Sequence, residues 1–552
     1  MSPFSPPISI SAVWPEIIVL LAGCAVLLVG QARRHAVRAA VPWVALGALV
    51  AALVVVRWPA FMNQTIPYAL GSGLEYAGLA DFVRVSALIF GVLVTLTAWS
   101  GSTEDERGEF FAMLLFSLGG LMLVGPATNL VILFLALELV SVPTYVMVTL
   151  SQRTAASLEA GTKYFYLGAL SAAIMAYGFS FLYGVGGSAT IDAVAVENIA
   201  GALRHPGTTE YGLAMIGVVV SIVGVLFKLA AVPLHFYVAD VYQGASSPVA
   251  GLLGFVPKLA GLVALLKIVS LTAWAQTSAG VYWLLWIIAA ISMTVGNVLA
   301  LRQTNVKRML AYSGIAHSGY MLVGLLAGPT AGESILGDGA AALLYYVVIY
   351  GIANLGAFAL LALLRVRGDA CETVRDLAGL LRRHPGMAWL MALSMFTLMG
   401  LPPTAGFWGK VSLFGSALSA AGSPETIAAG LKSWTVTLVI VAVLNSALAA
   451  AYYLRVIASV LLYENDEPAI AMGGEPQHIG AILCGLLTLV FAFAPGTLMQ
   501  LGRGASQGVR ISILSEPGIA SPAPPAPAPP IRTPWVASAP EIPADSPPRA
   551  TP

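Results

Sequence analysis

Long apolar segments separated by short polar connections recur along almost the whole chain. Each segment is long enough to cross a bilayer, because roughly 20 helical residues with a rise of about 1.5 Å each span a hydrocarbon layer of about 30 Å. The pattern predicts about fourteen transmembrane helices. They cover residues 13–30, 40–57, 78–99, 109–125, 128–150, 161–184, 212–238, 247–270, 279–300, 307–327, 339–364, 387–421, 433–462 and 477–502.

The composition supports an all-α polytopic membrane protein. Of the 552 residues, 58% are hydrophobic and only 10% are charged, a balance far from that of soluble domains. The net charge of +1 carries no information on partners, and the three cysteines have no paired spacing that would suggest a metal cluster or a disulfide framework. Residues 517–552 contain thirteen prolines, which predicts a disordered or polyproline II tail.

Lysine and arginine are concentrated in alternate connections between the spans. Thirteen of them fall in the connections on one side of the predicted membrane, whereas the connections between spans on the other side hold little beyond Arg57, Arg204 and Lys432. Cytoplasmic connections retain basic residues. We therefore expect a multi-pass protein of the cell inner membrane with both termini on the periplasmic side.

Four ionisable residues lie in the middle of predicted spans: Glu138, Lys228, Lys258 and Lys410. Each costs at least about 2.5–3.5 kcal/mol in a bilayer, so each should face protein or water rather than lipid. One reading is a set of structural ion pairs between helices. However, one glutamate can pair closely with only one lysine. A lysine without a carboxylate must lose its proton or be hydrated. This excess of lysines indicates proton carriers.

Prolines disturb the predicted helices close to these charges. The prolines concerned are Pro143, Pro233, Pro257 and the pair Pro402–Pro403. A proline cannot donate a helical hydrogen bond, and non-helical backbone at membrane depth is tolerated only inside protein or beside a wet cavity. We expect discontinuous helices at 212–238 and 387–421, at comparable places in two five-helix stretches, 109–270 and 279–462. Interrupted helices in corresponding positions are typical of transporters built from repeats.

Three further residues are candidates with strong alternatives. His235 and His317 could relay protons through their two ring nitrogens, or could be buried, hydrogen-bonded histidines. Lys163 lies near a helix end, four residues after Glu159, where a surface ion pair explains it about as well as function does. We found no pattern typical of nucleotide binding, metal binding or nucleophilic catalysis.

Several motifs resemble the subunit N family of the proton-pumping NADH-quinone oxidoreductase, respiratory complex I. In order, they are LALELVSVPTYVMV, LEAGTKYFYLGALSAA, FKLAAVPLHFYVADVYQGASSPVAG, NVKRMLAYSGIAHSGYMLVG, DLAGL and MGLPPTAGFWGK. The resemblance runs from about residue 80 to 460. VYQGA is its most specific part, since subunits L and M and the Mrp antiporters differ there. Lys410 agrees with subunit N, because subunit M carries a glutamate at that place.

The resemblance implies a fourteen-helix fold with two inverted five-helix repeats, each containing one discontinuous helix. The corresponding division is 1–108 for the first helices, 109–270 and 271–462 for the repeats, 463–502 for the last helix and 503–552 for the tail.

The resemblance also implies roles for the buried charges. Glu138 would pair with Lys228, Lys258 would be the central lysine, Lys410 the exit-side lysine, and Lys163 a further family lysine. When Glu138 moves away, Lys228 would release its proton toward Lys258 and then Lys410.

The chain would be enzymatic only within the complex, without a redox site of its own. NADH, FMN, iron–sulfur clusters and quinone would bind to partner subunits. Its partners would be other membrane subunits and the lipid bilayer, not nucleic acid. An Mrp-type cation/proton antiporter subunit and a purely structural membrane subunit are the alternatives.

Overall fold

The computed structural model describes most of the chain. The described residues are 10–61, 69–70, 74–76, 78–99, 106–150, 152, 154–272, 274, 279–329, 337–465 and 469–514. The predicted proline-rich tail, residues 517–552, lies outside them.

Helices dominate the described residues. They are α1 Trp14–Gly30, α2 His35–Ala39, α3 Val41–Phe61, α4 Gly78–Thr97, α5 Arg107–Val124, α6 Leu130–Leu150, α7 Ala155–Gly186, α8 Ala193–Leu203, α9 Thr209–Leu229, α10 Val238–Gly244, α11 Ser247–Leu253, α12 Val256–Ser270, α13 Ala279–Leu301, α14 Val306–Ala327, α15 Gly339–Leu363, α16 Leu380–Arg383, α17 Pro385–Met399, α18 Ala405–Ala421, α19 Pro424–Ala428, α20 Lys432–Leu461, α21 Glu475–Phe493 and α22 Pro495–Leu514.

The remaining regular structure of the described residues lies before α1 or in connections between helices. Two short 3₁₀-helices span Ile10–Val13 and Val374–Leu377. The strands are β1 Ala69–Leu70, β2 Leu74–Glu75, β3 Leu364–Val366, β4 Asp369–Ala370 and β5 Ile470–Ala471. β1 pairs with β2, and β3 lies between β4 and β5, all antiparallel.

Every predicted span overlaps a helix. Twelve helical segments in the described residues are long and apolar enough to cross a membrane, and they coincide with twelve of the predicted spans. The other two predicted spans correspond to α1, which has 17 residues, and to the pair α17 and α18. The protein is therefore an all-α, multi-pass membrane protein, as the sequence predicts.

Both expected helix interruptions are present. α9 ends at Leu229, and Ala230 adopts the left-handed conformation with φ of 58°; α10 begins eight residues later. α17 ends at Met399, Gly400 has φ of 81°, and α18 begins at Ala405. In both places the next residue donates its N–H back into the last helical turn. Such a left-handed residue closes a helix and leaves its final carbonyls free for other donors.

Two details of the interruptions differ from the prediction. α6 continues through Pro143 without a break, although Pro143 cannot donate to the Leu139 carbonyl. The span 247–270 is divided into α11 and α12 at Gly254 and Phe255. Lys258 therefore lies in the first turn of a new helix rather than in the middle of a span.

The end of the described chain also differs from the prediction. The span 477–502 ends at Phe493, and Pro495 starts α22. α22 then passes through the predicted boundary at 503 and continues to Leu514. Because proline is well suited to the first turn of a helix, the change of helix falls there.

The centre of the bundle is formed by α11, α12, α14 and α15. α15 packs against α4, α11, α14, α17, α18, α21 and α22, and all of its residues except Ala362 are buried. All residues of α11 and α12 are buried as well. Polar side chains on these helices are therefore surrounded by protein and not by lipid.

Candidate functional site

Glu138 and Lys228 form an ion pair between α6 and α9. The Lys228 ammonium donates to Glu138 Oε1 at 3.0 Å and to the Ser141 hydroxyl. Glu138 and Ser141 face the same lysine because residues three apart lie on one helix face. The Lys228 side chain is 2% exposed and that of Glu138 is 21% exposed. The pair thus joins a fully buried cation to a carboxylate that reaches the surface of the chain.

Lys258 binds the C-terminal end of α9, the broken helix that carries Lys228. Its ammonium donates to the Leu229 carbonyl at 3.2 Å, the Gly314 carbonyl at 2.6 Å and the Ser318 hydroxyl at 2.6 Å. Leu229 follows Lys228 directly and is the last residue of α9. All three partners of Lys258 are neutral, so its proton can leave without separating an ion pair.

His317 is buried on α14 between two tyrosines. Its Nδ1 lies 2.8 Å from the Tyr346 hydroxyl and its Nε2 lies 2.9 Å from the Tyr453 hydroxyl. Tyr453 is also hydrogen-bonded to Ser313. Because a tyrosine hydroxyl can donate or accept, both imidazole nitrogens have a partner in either tautomer.

Lys410 binds the end of the second broken helix. Its ammonium donates to the Met399 carbonyl at 2.7 Å and to the Ser446 hydroxyl at 2.7 Å. Met399 is the last residue of α17. The ammonium also lies 5.1 Å from the centre of the Tyr320 ring, within the range of a cation–π contact.

These residues form one row through the bundle, from the partly exposed Glu138 through the buried Lys228, Lys258 and His317 to the buried Lys410. The Tyr350 ring lies between Lys258 and His317, 5.6 Å from the ammonium and 4.6 Å from the imidazole centre. The Tyr320 ring lies between His317 and Lys410 and is 5.8 Å from the imidazole. Hydroxyl-bearing rings therefore lie along the last two intervals of the row, from Lys258 to His317 and from His317 to Lys410.

His235 and Lys163 lie outside this row. His235 is half-buried in the segment between α9 and α10, with Nδ1 3.3 Å from the Pro233 carbonyl. Lys163 pairs with Glu159 at 2.7 Å and with Asp240 at 2.9 Å, and its side chain is 41% exposed. Its local surroundings are those of a surface ion-pair network.

Asp240 on α10 is a residue that the sequence analysis did not single out. It accepts from Lys163 on α7 and, at 2.7 Å, from Arg308 on α14. These bonds attach α10, which follows the break after α9, to α7 on one side and to α14 on the other. An acidic residue just after a helix break, within the VYQGA motif region, is the signal that could have found it.

Two buried lysines were also missed. Lys267 donates to the carbonyls of Gly125, at 2.7 Å, and Ala127, and Lys307 donates to the Ala245 carbonyl at 2.9 Å. These carbonyls follow the ends of α5 and α10. Both lysines therefore cap helix C-termini, where free carbonyls and the helix dipole favour a cation.

Comparisons with known proteins agree on one family. The family model described as "NADH:quinone oxidoreductase/Mrp antiporter, TM" matches residues 127–437. NADH-quinone oxidoreductase subunit N of Trichlorobacter lovleyi is 36% identical over 503 residues, which cover 90% of this chain and 97% of that protein. The chain belongs to the NADH-quinone oxidoreductase subunit N family.

Chains of two solved structures have the same fold as this chain. A chain of respiratory complex I from Thermus thermophilus with bound aureothin is 29% identical to this chain and has a TM-score of 0.71. The match covers 89% of this chain and 100% of that chain. A chain of the Mrp complex from a Dietzia species has a TM-score of 0.73 over 92% of this chain and 100% of its own, but is only 17% identical. That second likeness shows the fold alone, so the subunit N assignment fits better than the Mrp alternative.

Proposed function

We propose that this chain is a proton-translocating membrane subunit of an NADH-quinone oxidoreductase, and that protons move along the row from Glu138 to Lys410. The observation that carries the proposal is that the row connects the ends of both broken helices. Within it, Lys258 and Lys410 are held by neutral partners. A buried lysine of this kind can alternate between ammonium and amine, as a carrier must.

The first transfer depends on the Glu138–Lys228 ion pair. While the carboxylate is 3.0 Å away, it stabilises the Lys228 ammonium. If Glu138 withdraws, the ammonium is left buried beside the Ser141 hydroxyl, and an unpaired buried charge is costly. The proton then passes toward the Lys258 amine, and Lys228 becomes neutral.

The second transfer crosses from Lys258 to Lys410. His317 lies between them, and a neutral imidazole can accept a proton on one nitrogen while it releases one from the other. Its two tyrosine partners keep the ring in position for this exchange. Lys410 then receives the proton beside the opening between α17 and α18.

His235 and Lys163 have supporting roles in this proposal. His235, in the non-helical segment after α9, would bring protons to the row. Lys163 would set the position of α10 through Asp240. The stretches 109–270 and 271–462 would each contribute one half of the path.

The electron-transfer chemistry belongs to other subunits in this proposal. NADH, FMN, iron–sulfur clusters and quinone would be bound there, and this chain would contact neighbouring membrane subunits and lipid. Within the described residues, no three His, Cys, Asp or Glu side chains are grouped so that they could hold a metal ion. The positive-inside distribution further supports periplasmic termini and insertion in the inner membrane.

The proposal is tested with the whole complex in liposomes. NADH oxidation and the resulting pH gradient are measured for the wild type, for Lys258→Met and for Lys432→Met as an exposed control. We expect Lys258→Met to assemble but to move fewer protons per electron. Normal pumping by that variant would favour a purely structural subunit. Exchange of Na⁺ for H⁺ by the isolated chain would favour the antiporter alternative.

A further inference from the structure

A cavity of about 300 Å³ lies away from the proton row, between α4, α15, α21 and α22. One face of α4 lines it from Asp81 to Leu93, over a length of about 18 Å at 1.5 Å per residue. The lining residues on that face recur at helical spacing: Asp81, Phe82, Val85, Ser86, Ile89, Phe90 and Leu93. The cavity is therefore elongated and runs along the helix.

The deep end of the cavity is apolar and closed. Phe90 and Leu93 are buried there together with Phe255, and the rings of Phe90 and Phe255 stack with centres 4.1 Å apart. Along its side, the cavity-lining residue Ile89 is 38% exposed. A ligand could thus enter sideways from the bilayer and place an apolar chain against these rings.

The other end of the cavity is polar and carries charges of both signs. Arg57, in the last part of α3, and Asp81, in the first turn of α4, both line it, and so does Gln500 of α22. Arg57 and Gln500 are exposed. The nearby Arg84 is not available, because it forms a two-bond ion pair with Glu16, at 2.6 and 2.7 Å.

The polar end is held by a close backbone contact. At Gly78, an added Cβ would lie 2.5 Å from the carbonyl oxygen of Gly504 on α22. Only glycine permits the two helices to approach so closely. The cavity entrance is therefore already shaped before any ligand arrives, which lowers the cost of binding.

We propose that this cavity binds one phospholipid with a primary amine in its headgroup, of the phosphatidylethanolamine type. One of its two acyl chains would lie in the cavity along α4 toward Leu93, its phosphate would bind Arg57, and its ammonium would bind Asp81. Arginine suits phosphate because it presents several donors in a fixed plane. An anionic lipid without an amine would bring its negative charge next to Asp81, and a quinone would leave both charged side chains unused.

The test uses the purified complex in nanodiscs with photoreactive lipids. Phosphatidylethanolamine and phosphatidylglycerol probes carry the same diazirine-labelled acyl chain, and labelled peptides are identified by mass spectrometry. We expect the ethanolamine lipid to label the segment from Val85 to Leu93 several-fold more than the glycerol lipid. Equal labelling by the two probes, or labelling that avoids this segment, would overturn the proposal.

Variants separate headgroup recognition from access to the cavity. Asp81→Asn should make the two lipids equal, whereas Val85→Trp should fill the cavity and remove the labelling by both. Val50→Trp, at an exposed position on α3, is the matched control and should label as the wild type does. Unchanged labelling in Val85→Trp would contradict the assignment. So would a result in which added ubiquinone removes the label and the two lipid probes label equally. Melting temperatures of the variant complexes identify any folding defect.

Discussion

The ammonium of Lys410 lies 2.7 Å from the carbonyl oxygen of Met399, the last residue of α17. Lys258 stands in the same relation to Leu229, the last residue of α9, at 3.2 Å. Each broken helix thus presents its negative end to a buried lysine. The carbonyls at a helix C-terminus stabilise the ammonium only in part. When the proton leaves, they remain neutral groups, whereas a carboxylate would remain as an unpaired negative charge.

We predict that Glu138→Gln leaves the complex assembled and lowers proton pumping. Glutamine keeps the shape of the side chain but removes a charged hydrogen bond to Lys228, which contributes about 1.5–3 kcal/mol. At roughly tenfold per 1.4 kcal/mol, proton transfer in liposomes should fall by at least about tenfold. Glu210→Gln makes the same change at an exposed position and should pump normally. Wild-type transfer in Glu138→Gln would refute the ion-pair switch.

We predict that Lys410→Arg assembles but loses pumping. Arginine keeps the positive charge but holds its proton at any working pH, so the variant separates charge from proton exchange. The measurement is the proton-to-electron ratio of the reconstituted complex. Lys432→Arg, on the exposed start of α20, is the control. If Lys410→Arg shows a normal ratio, Lys410 has a structural role and is not a carrier.

We predict that Asp240→Asn loosens α10 while changing overall stability little. Asp240 and its partners are partly exposed, and such ion pairs contribute only about 0–1 kcal/mol each. Hydrogen exchange of the peptide covering α10 should become faster, and pumping should decrease. Glu159→Gln removes the other partner of Lys163 but changes no contact of α10. Hydrogen exchange of the α10 peptide should therefore stay as in the wild type. Unaltered α10 exchange in Asp240→Asn would show that the network does not position this helix.

We predict that the C-terminus faces the periplasm. A protease-sensitive tag placed after Pro552 should be removed when protease is added to intact spheroplasts. The same tag inserted after Gly368, in the exposed turn between β3 and β4, should be cleaved only after the membrane is permeabilised. The opposite pattern would reverse the orientation of the whole chain.

The positions of the helices and of their main interruptions could be predicted from local sequence. Apolar length locates each span, and Pro233 and Pro402 each lie in a break that follows a left-handed residue, Ala230 or Gly400. Proline position alone was not sufficient. α6 continues through Pro143, whereas Pro257 lies in the first turn of α12, directly after the break at Gly254 and Phe255.

The contacts that complete the site could not be predicted in the same way. His317 meets Tyr453, 136 residues away, and Asp240 meets Arg308, 68 residues away. Such pairs depend on which helices pack together, which a single sequence does not reveal. Lys267 and Glu16 lie within or near predicted spans, but only the packed structure shows the carbonyls and the guanidinium that they bind.

Nearly all residues of α14 are buried, and this has a consequence for biosynthesis. Val306–Ala327 is the least apolar of the twelve candidate spans in the described chain, so on its own it should partition weakly from the translocon into lipid. α13 precedes it directly and packs along it, and Asn297 of α13 donates to the Tyr320 hydroxyl at 3.2 Å. The two helices should therefore enter the membrane as a hairpin, with the earlier and more apolar segment retaining the later one until the rest of the bundle closes around it.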